Sequence, residues 1–504
     1  MSLLCLVILA IPGQLFDVSR CGGTSRPFKG RYKKNFFTYH EILFIEPRHR
    51  PTPTLHSPNP LHHAPIPTLL ARLTGPMLLG IVAIHAFNLI DTFFIGMLGT
   101  DALAAVSFTF PVTFVITSLA MGLGAGLSAV LGHTLGQGRH EEAARFTTDA
   151  LFLAVLLIVV LAPLGALTIT PLFRLLGASG PLIALIHDYM AIWYLTMPLL
   201  VLPMVGNAAM RATGDTRTPS LIMAMAGLLN GLLDPLLIFG WGPLPALGIK
   251  GAAIASSLSW LMATLGSLHI LYRREQLLRL QLSAKPQLLL HWQAMLHVAL
   301  PAAFTNMLNP LANALLMVLF AGLGTEAVAA YGAASRVEAL LLIVMMALSS
   351  VLAPFVSQNT GAGHPLRARA ALMLAMRFAI VFQLLLYAML WLLAPYIGPL
   401  FSRNPAVIGA ITLYLSLVPL GYGCQALVML LASALNGVRA SAISLLFNSL
   451  RLFGFLLPAA WIGAKLGGLG GIYTGILLAN LAVGILAYLY ALTRFEPLCR
   501  RRCP

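Results

Sequence analysis

The apolar residues of this chain fall into long unbroken runs. They show neither the one-sided stripe of a surface helix nor the alternation of a half-buried strand. From residue 73 onward twelve runs follow one another, at 73–98, 104–132, 149–173, 186–209, 219–241 and 251–272, then at 295–322, 327–356, 370–393, 406–434, 442–462 and 471–493. All reach the about 20 residues that an α-helix needs to cross a bilayer, and none shows the period of two that marks a barrel strand. The pattern predicts an all-α polytopic membrane protein with twelve transmembrane helices. A polar stretch between the sixth and seventh runs reads as an inter-lobe linker over 273–290. It separates an N-lobe (64–272) from a C-lobe (291–494), with a basic tail at 495–504 that carries Cys499 and Cys503 as free, solvated thiols.

Residues 1–63 are unlike the rest. The opening MSLLCLVILAIPG is too short to span a bilayer and lacks a basic leader. The stretch after it, rich in Pro, His, Arg and Lys, reads as a disordered extension or as an over-long gene model whose start lies downstream. Four histidines between His49 and His63 form at most a weak metal-binding tract.

The second half repeats the first. LGTDALAAV at 98–106 answers LGTEAVAAY at 323–331, and GQGR at 136–139 answers GAGH at 361–364, both displaced by 225 residues; Gly214 and Pro235 answer Gly437 and Pro458, displaced by 223. Six spans followed by six keep both halves in one orientation. The repeat is therefore parallel, with two pseudo-symmetric six-helix lobes expected around a central cavity.

Composition and charge narrow this picture. The 504 residues are 59% hydrophobic and 9% charged, with a mean hydropathy of +0.88, far from the about 25% charged of a soluble globule. The net charge of +16 does not imply a nucleic-acid partner. Its cations sit in alternate loops: Arg139, Arg145, Arg211, Arg273, Arg274, Arg367, Arg369 and Arg439 follow even-numbered spans, while the odd-numbered loops hold little beyond Arg174, Lys250, Arg403 and Lys465. By the positive-inside rule both termini are cytoplasmic. No phosphate-binding loop is present, so ATP does not drive a cycle. No catalytic motif is present either, so no enzyme and no cofactor beyond a coupling ion is expected.

The candidate chemistry lies in acids where acids are costly. Asp234, in NGLLDPLLIFGW, and Asp91, in NLIDTFFIG, stand within spans 5 and 1. A carboxylate at the centre of a spanning helix costs roughly 2.5–3.5 kcal/mol on insertion scales. Asn230 is one turn before Asp234, Asn88 one turn before Asp91, and Pro235 withholds the N–H that would meet the carbonyl of Gly231. With a hydroxyl from Ser256 on span 6, these groups would form an oxygen cage for H+ or Na+ around Asp91, Asn230 and Asp234. The repeat-equivalent positions in the second half are Leu316 and Leu457, so ion coupling is expected in the N-lobe alone. His85, two turns from Asp91, reads as a core histidine. Pro76 is placed for bending of span 1. In the second half Arg336 and Glu338 lie at mid-depth of span 8, Asn306, Asn309 and Asn313 step along one face of span 7, and Arg451 lies in span 11 as a counter-charge for Glu338 or a partner of a carbonyl. Asn88, Glu338, Arg336, Asn309, Asn313 and Arg451 are the candidate cavity-lining polar residues. Phe108, Phe110, Phe114, Trp193, Tyr194 and some of the 20 methionines supply adaptable apolar wall.

IDTFFIGMLGTDALAAV, RATGDTRTPS, LDPLLIFG, GIKGAAIAS and GLGTEAVAAY together resemble the MATE (multidrug and toxic compound extrusion) transporters over about residues 72–495, nearest to their DNA-damage-inducible branch. The resemblance implies a V of two six-helix lobes that exports cationic and amphipathic compounds in exchange for protons or sodium. It implies that Asp91, Asn230, Asp234 and Ser256 match the N-lobe ion site, where that branch usually carries Thr in place of Ser256, and that Pro76 matches a proline at which bending has been proposed. The acid that the drug-exporting bacterial branch and the eukaryotic members place in span 7 is absent here, and span 10 has none either, which removes the basis for carrying over a C-lobe cation site; Glu338 is the deep acid left in that lobe. The expected function is therefore secondary antiport of organic cations or drugs by alternating access, by a monomer in contact with membrane lipid. Export of a lipid-linked or polyprenyl intermediate is the alternative, and an intramembrane enzyme is the reading from a different class.

Overall fold

The computed structural model describes residues 60–503 except 179, 242–244 and 280. The expectations for residues 1–59, including the leader-like start and the histidines His49 and His56, lie outside the described residues. Those described are almost wholly helical and form no strand. Spans 1 to 9 are the helices Ile66–Met97, Thr100–Gly136, His140–Leu175, Gly180–Thr213, Arg217–Ile238, Ile249–Arg273, Lys285–Ala321, Thr325–Gly361 and Pro365–Phe401. Span 10 is Pro405–Gly437, and spans 11 and 12 share the apolar stretch Ser441–Thr493. That stretch leaves helical geometry at Gly467 and Gly468, so it folds back as two spans and completes twelve. The helices outrun the apolar runs because polar first and last turns extend into the interfaces. Span 7 begins at Lys285, so residues 285–290 belong to a helix rather than to the linker.

The duplication is visible in the backbone. Gly99 and Gly324, which open spans 2 and 8, share φ of 120° and 113° with ψ of 171°, a region essentially reserved for glycine. Gly248 and Gly468, which open spans 6 and 12, share φ near 55° (56° and 53°) with ψ of −133° and −131°.

In lipid, burying one apolar helix against another gains little hydrophobic free energy, so close packing of small residues must hold helices together. The seam between the lobes follows that rule. A Cβ on Gly122 would lie 2.5 Å from the Ala299 carbonyl oxygen, and one on Gly126 would lie 2.6 Å from that of Met295. Further along, Gly136 meets the Gln358 carbonyl and its repeat twin Gly361 meets the His133 carbonyl, each at 2.2 Å from an added Cβ. The Ser357 hydroxyl donates to the Ala129 carbonyl at 2.6 Å. Each lobe also lends the start of its first helix to the other. Leu69, Leu70, Leu73 and Met77 of span 1 pack among C-lobe residues such as Leu352 and Phe378, while Met295 and Ala299 of span 7 enter the N-lobe core. All of this lies at the end that carries the basic loops. Towards the other end burial fails: between Ser107 and Val115 of span 2 only Thr109 is buried, and none of residues 335–342 of span 8 is. The two lobes form a V closed at the basic end.

Two terminal segments are more ordered than their composition suggests. The turn Pro60–His63 packs Leu61 into the C-lobe, and its carbonyl accepts from Arg367 Nε at 3.2 Å. The basic tail is the helix Phe495–Arg502, with Phe495 and Cys499 fully buried and Glu496 paired with Arg369 and Arg500. The expected solvated thiol at Cys499 is thus corrected: Cys499 is in phase with Phe495, one turn away, and burial pushes its thiol up to about 12.

The RATGDTRTPS motif resolves into a cap. Asp215 Oδ1 accepts from the N–H groups of Arg217 and Thr218 at 2.9 and 3.1 Å, satisfying the open donors of span 5, and its other oxygen binds Arg274 at the end of span 6. Burial opposes the charged carboxyl, but the Thr218 and Arg274 hydrogen bonds prevail and hold it below the usual carboxylate range. Asp215→Ala is expected to cost about 1 kcal/mol, read as a lower Tm in detergent. Because the folded value lies below the unfolded one, the contribution exists above the unfolded pKa and is lost as pH falls through the folded one. The Tm gap between wild type and variant should therefore narrow in acid.

Candidate functional site

Spans 1 and 5 run parallel in close contact. An added Cβ on Gly80 would lie 3.0 Å from the Ser220 hydroxyl oxygen, and one on Gly227 would lie 3.3 Å from Phe87 Cβ. Gly231 faces Ile90 in the same register, which carries Asp91 to the level of the turn holding Asp234. The two carboxylates are near enough for one to feel the other's charge. Asn230 and Asp234 are fully buried and Ser256 is nearly so. In the amide orientation that satisfies both of its ends, Asn230 donates to Asp234 Oδ2 at 2.8 Å, and its oxygen accepts from the Ser256 N–H and hydroxyl, both at 3.1 Å. Asp91 Oδ1 and Asp234 Oδ1 are each buried without a hydrogen-bond partner among the described residues. Among the described residues no Lys, Arg or His lies within 4 Å of either carboxylate. The site is short of positive charge and holds two open acceptor oxygens.

The expected cage needs one correction. The Asn230 oxygen does not face Asp234; its nitrogen does, because Ser256 supplies two donors that hold the oxygen away. Tyr189, on span 4, lies close enough to feel the charge of both acids.

The C-lobe contains a different constellation. Glu338 accepts from the Tyr414 hydroxyl at 3.0 Å and from Gln425 Nε2 at 3.2 Å. Gln425 accepts in turn from Asn480 Nδ2 at 3.4 Å, and Asn480 Oδ1 accepts from Arg451 Nη1 at 3.4 Å. Arg451 Nη2 donates to Asn309 Oδ1 at 2.9 Å. Arg451 stands in a seven-residue π-helical stretch, Leu450–Leu456, just before Pro458. Pro458 cannot donate to the carbonyl of Gly454, so the preceding turn is free to widen.

The sequence matches the MatE family model over residues 76–236 and again over 301–462, one match per lobe. The chain belongs to the MATE family. It is 46% identical to the FAD transporter of Shewanella oneidensis over 85% of this chain and 95% of that one. It is 23% identical to the multidrug export protein MepA of Staphylococcus saprophyticus, over 82% and 91% of the two chains. The structure superimposes on the bent form of the Vibrio cholerae MATE transporter VcmN with a TM-score of 0.82 and 30% identity, covering 87% of this chain and 99% of that one. Its relatives and its fold are those of multi-pass membrane transporters.

Within this MATE chain the structure brings Asp91, Asn230, Asp234 and Ser256 together. Asn88 is exposed and makes no side-chain hydrogen bond to Asp91; its carbonyl accepts from Thr92. His85 is exposed, which corrects its reading as a core histidine: it lies on the face of span 1 turned away from span 5. Span 1 runs as one helix through Pro76. Arg451 does not pair with Glu338 within 4 Å; Gln425 and Asn480 intervene. Arg336 is exposed and joins no hydrogen bond or ion pair among the described residues. Asn313 accepts from the Tyr331 hydroxyl at 3.3 Å. Sequence reasoning missed Tyr189, Tyr414, Gln425 and Asn480. The signal for the two amides was available, since each stands in an otherwise apolar span.

Proposed function

We propose that this transporter exports a flavin dinucleotide or a similar large aromatic anion from the cytoplasm across the bacterial inner membrane, driven by proton uptake at Asp91 and Asp234. The observation that carries the coupling is the pair of carboxylates, each with a buried oxygen that has no partner and no cation within 4 Å among the described residues, in a lobe whose twin has Leu316 and Leu457 there. A bound cation removes that deficit. The Asn230 nitrogen turned toward Asp234 favours a proton, because Na+ needs oxygens around it and this amide presents a donor. The 46% identity to a protein named FAD transporter supports the substrate class.

The cycle follows from alternating access. With the seam of Gly136 and Gly361 closed, the N-lobe acids are protonated from outside. Substrate then leaves to the outside, the lobes rock, the protons leave inward and new substrate binds from the cytoplasm. Coupling requires that the ion prefer one state, and each 1.4 kcal/mol of preference is worth tenfold in population. Export of organic cations or drugs is the second reading, favoured by the exposed Phe110 and Phe114 and by the likeness to MepA.

Purified protein in liposomes, offered FAD under an imposed pH gradient or an imposed Na+ gradient, tests the proposal. FAD movement that follows the pH gradient and ignores Na+ is expected. Movement that follows Na+ alone would replace the proton, and movement of ethidium without FAD would replace the substrate.

A further inference from the structure

The two lobes hold opposite chemistry at their polar centres. Where the N-lobe carries two acids short of positive charge, the C-lobe carries Arg451, 6% exposed, with no carboxylate within 4 Å among the described residues. A buried charge of this kind is costly unless an opposite charge or strong acceptors complete it. Two amide oxygens serve Arg451 partially, and its buried Nε has no partner among the described residues. Glu338, the acid of the same network, is already met by Tyr414 and Gln425. Of the two amides that serve Arg451, Asn480 is buried and Asn309 is exposed. Asn309 and Asn313 continue the face of span 7 that buries Leu316 and Phe320 in the C-lobe. The repeat twins of Arg451, Asn309 and Glu338 are Leu228, Ile84 and Thr113, so the cluster is not inherited scaffold common to both lobes.

We propose that Arg451, gated by Asn309, is an anion subsite of the C-lobe that takes a phosphate group of the exported substrate. The assignment deepens the flavin-dinucleotide reading and rests on it. A phosphate group displacing the Asn309 amide would give the guanidinium the charged, bidentate partner it lacks, with two oxygens accepting from two N–H groups. The wide π-helical turn leaves Arg451 room to shift toward such a ligand. Leu228 in the N-lobe offers nothing comparable, so substrate anion and coupling proton occupy different lobes.

The experiment compares three substrates in proteoliposomes under one pH gradient: FAD, which carries a diphosphate; riboflavin, which shares the ring system without phosphate; and the cation ethidium. Arg451→Gln keeps hydrogen bonds to Asn309 and Asn480 but removes the charge. It should lower FAD transport about tenfold or more, the scale of a charge-assisted bidentate pair, and leave any riboflavin and ethidium transport within about twofold. Asn309→Asp places a carboxylate on Arg451 and should likewise remove FAD transport alone, with no cationic side chain deleted. Equal losses for all three substrates in both variants, or unchanged FAD transport in both, overturns the subsite. Wild-type protein that moves ethidium but no FAD overturns the flavin reading and the subsite with it.

Discussion

Asp234→Asn should abolish gradient-driven export, at least about 100-fold against wild type, while leaving the protein folded in the membrane. The magnitude follows from what the substitution removes. An ion can drive the cycle only through its differential affinity for two states, and two decades of population require about 2.8 kcal/mol of that difference. The substituted amide would keep the volume of the carboxylate and an oxygen to accept from Asn230, so the Ser256–Asn230 arrangement survives. It would not take up a proton. Asp91→Asn should act in the same direction, and the double variant should be no worse than either single one, because residues acting as one unit are not additive. The check is FAD or ethidium accumulation in vesicles under an imposed pH gradient, beside substrate exchange at equal pH. Exchange should persist in Asp234→Asn, since it needs lobe motion and no net ion movement. Accumulation at wild-type level in both variants would remove the N-lobe acids from the mechanism.

Fold and site differed in how far they could be read from the sequence. Twelve spans were legible because a bilayer leaves few solutions: backbone groups must be satisfied within each segment, and length then counts helices. The duplication was legible because glycines such as Gly99 and Gly324 hold conformations no other residue adopts, so the motif around them persists. Asp91 and Asp234 stood out because acids are rare at that depth. Three features were not legible, each for a physical reason. The orientation of Asn230 depends on Ser256, which is 26 residues away and becomes a neighbour only by tertiary packing. Glu338 and Arg451 suggested an ion pair by charge alone, but amides from spans 10 and 12 stand between them, and an amide's partner cannot be read from spacing. His85 looked buried because its run is apolar, although only one face of span 1 meets protein; the structure leaves it on the other face.

The glycine pair at the seam gives the second large effect. Gly136→Ala and Gly361→Ala should each push the lobes apart at the basic-loop end and shift the population away from the closed seam by about 5- to 150-fold. An added Cβ would stand 2.2 Å from a carbonyl oxygen in either case, Gln358 for the first and His133 for the second. Both obstacles are backbone, which cannot swing aside as a side chain does, and overpacking of this kind costs typically about 1–3 kcal/mol. The neighbouring lobe can relieve it by withdrawing, which is the motion that opens the basic-loop face. Ser357, fully buried at the seam, reports the change. A Ser357→Cys thiol should resist maleimide in the parent protein and react at least about fivefold faster when Gly136→Ala is added. Gly332→Ala, on span 8 with nothing within 4 Å of the added Cβ, should leave the labelling rate unchanged. Slow labelling in all three proteins would mean that the seam absorbs the methyl groups without opening, and that the lobes part elsewhere. Fast labelling together with lost export would tie the closed seam to the state in which Asp91 and Asp234 receive their ion.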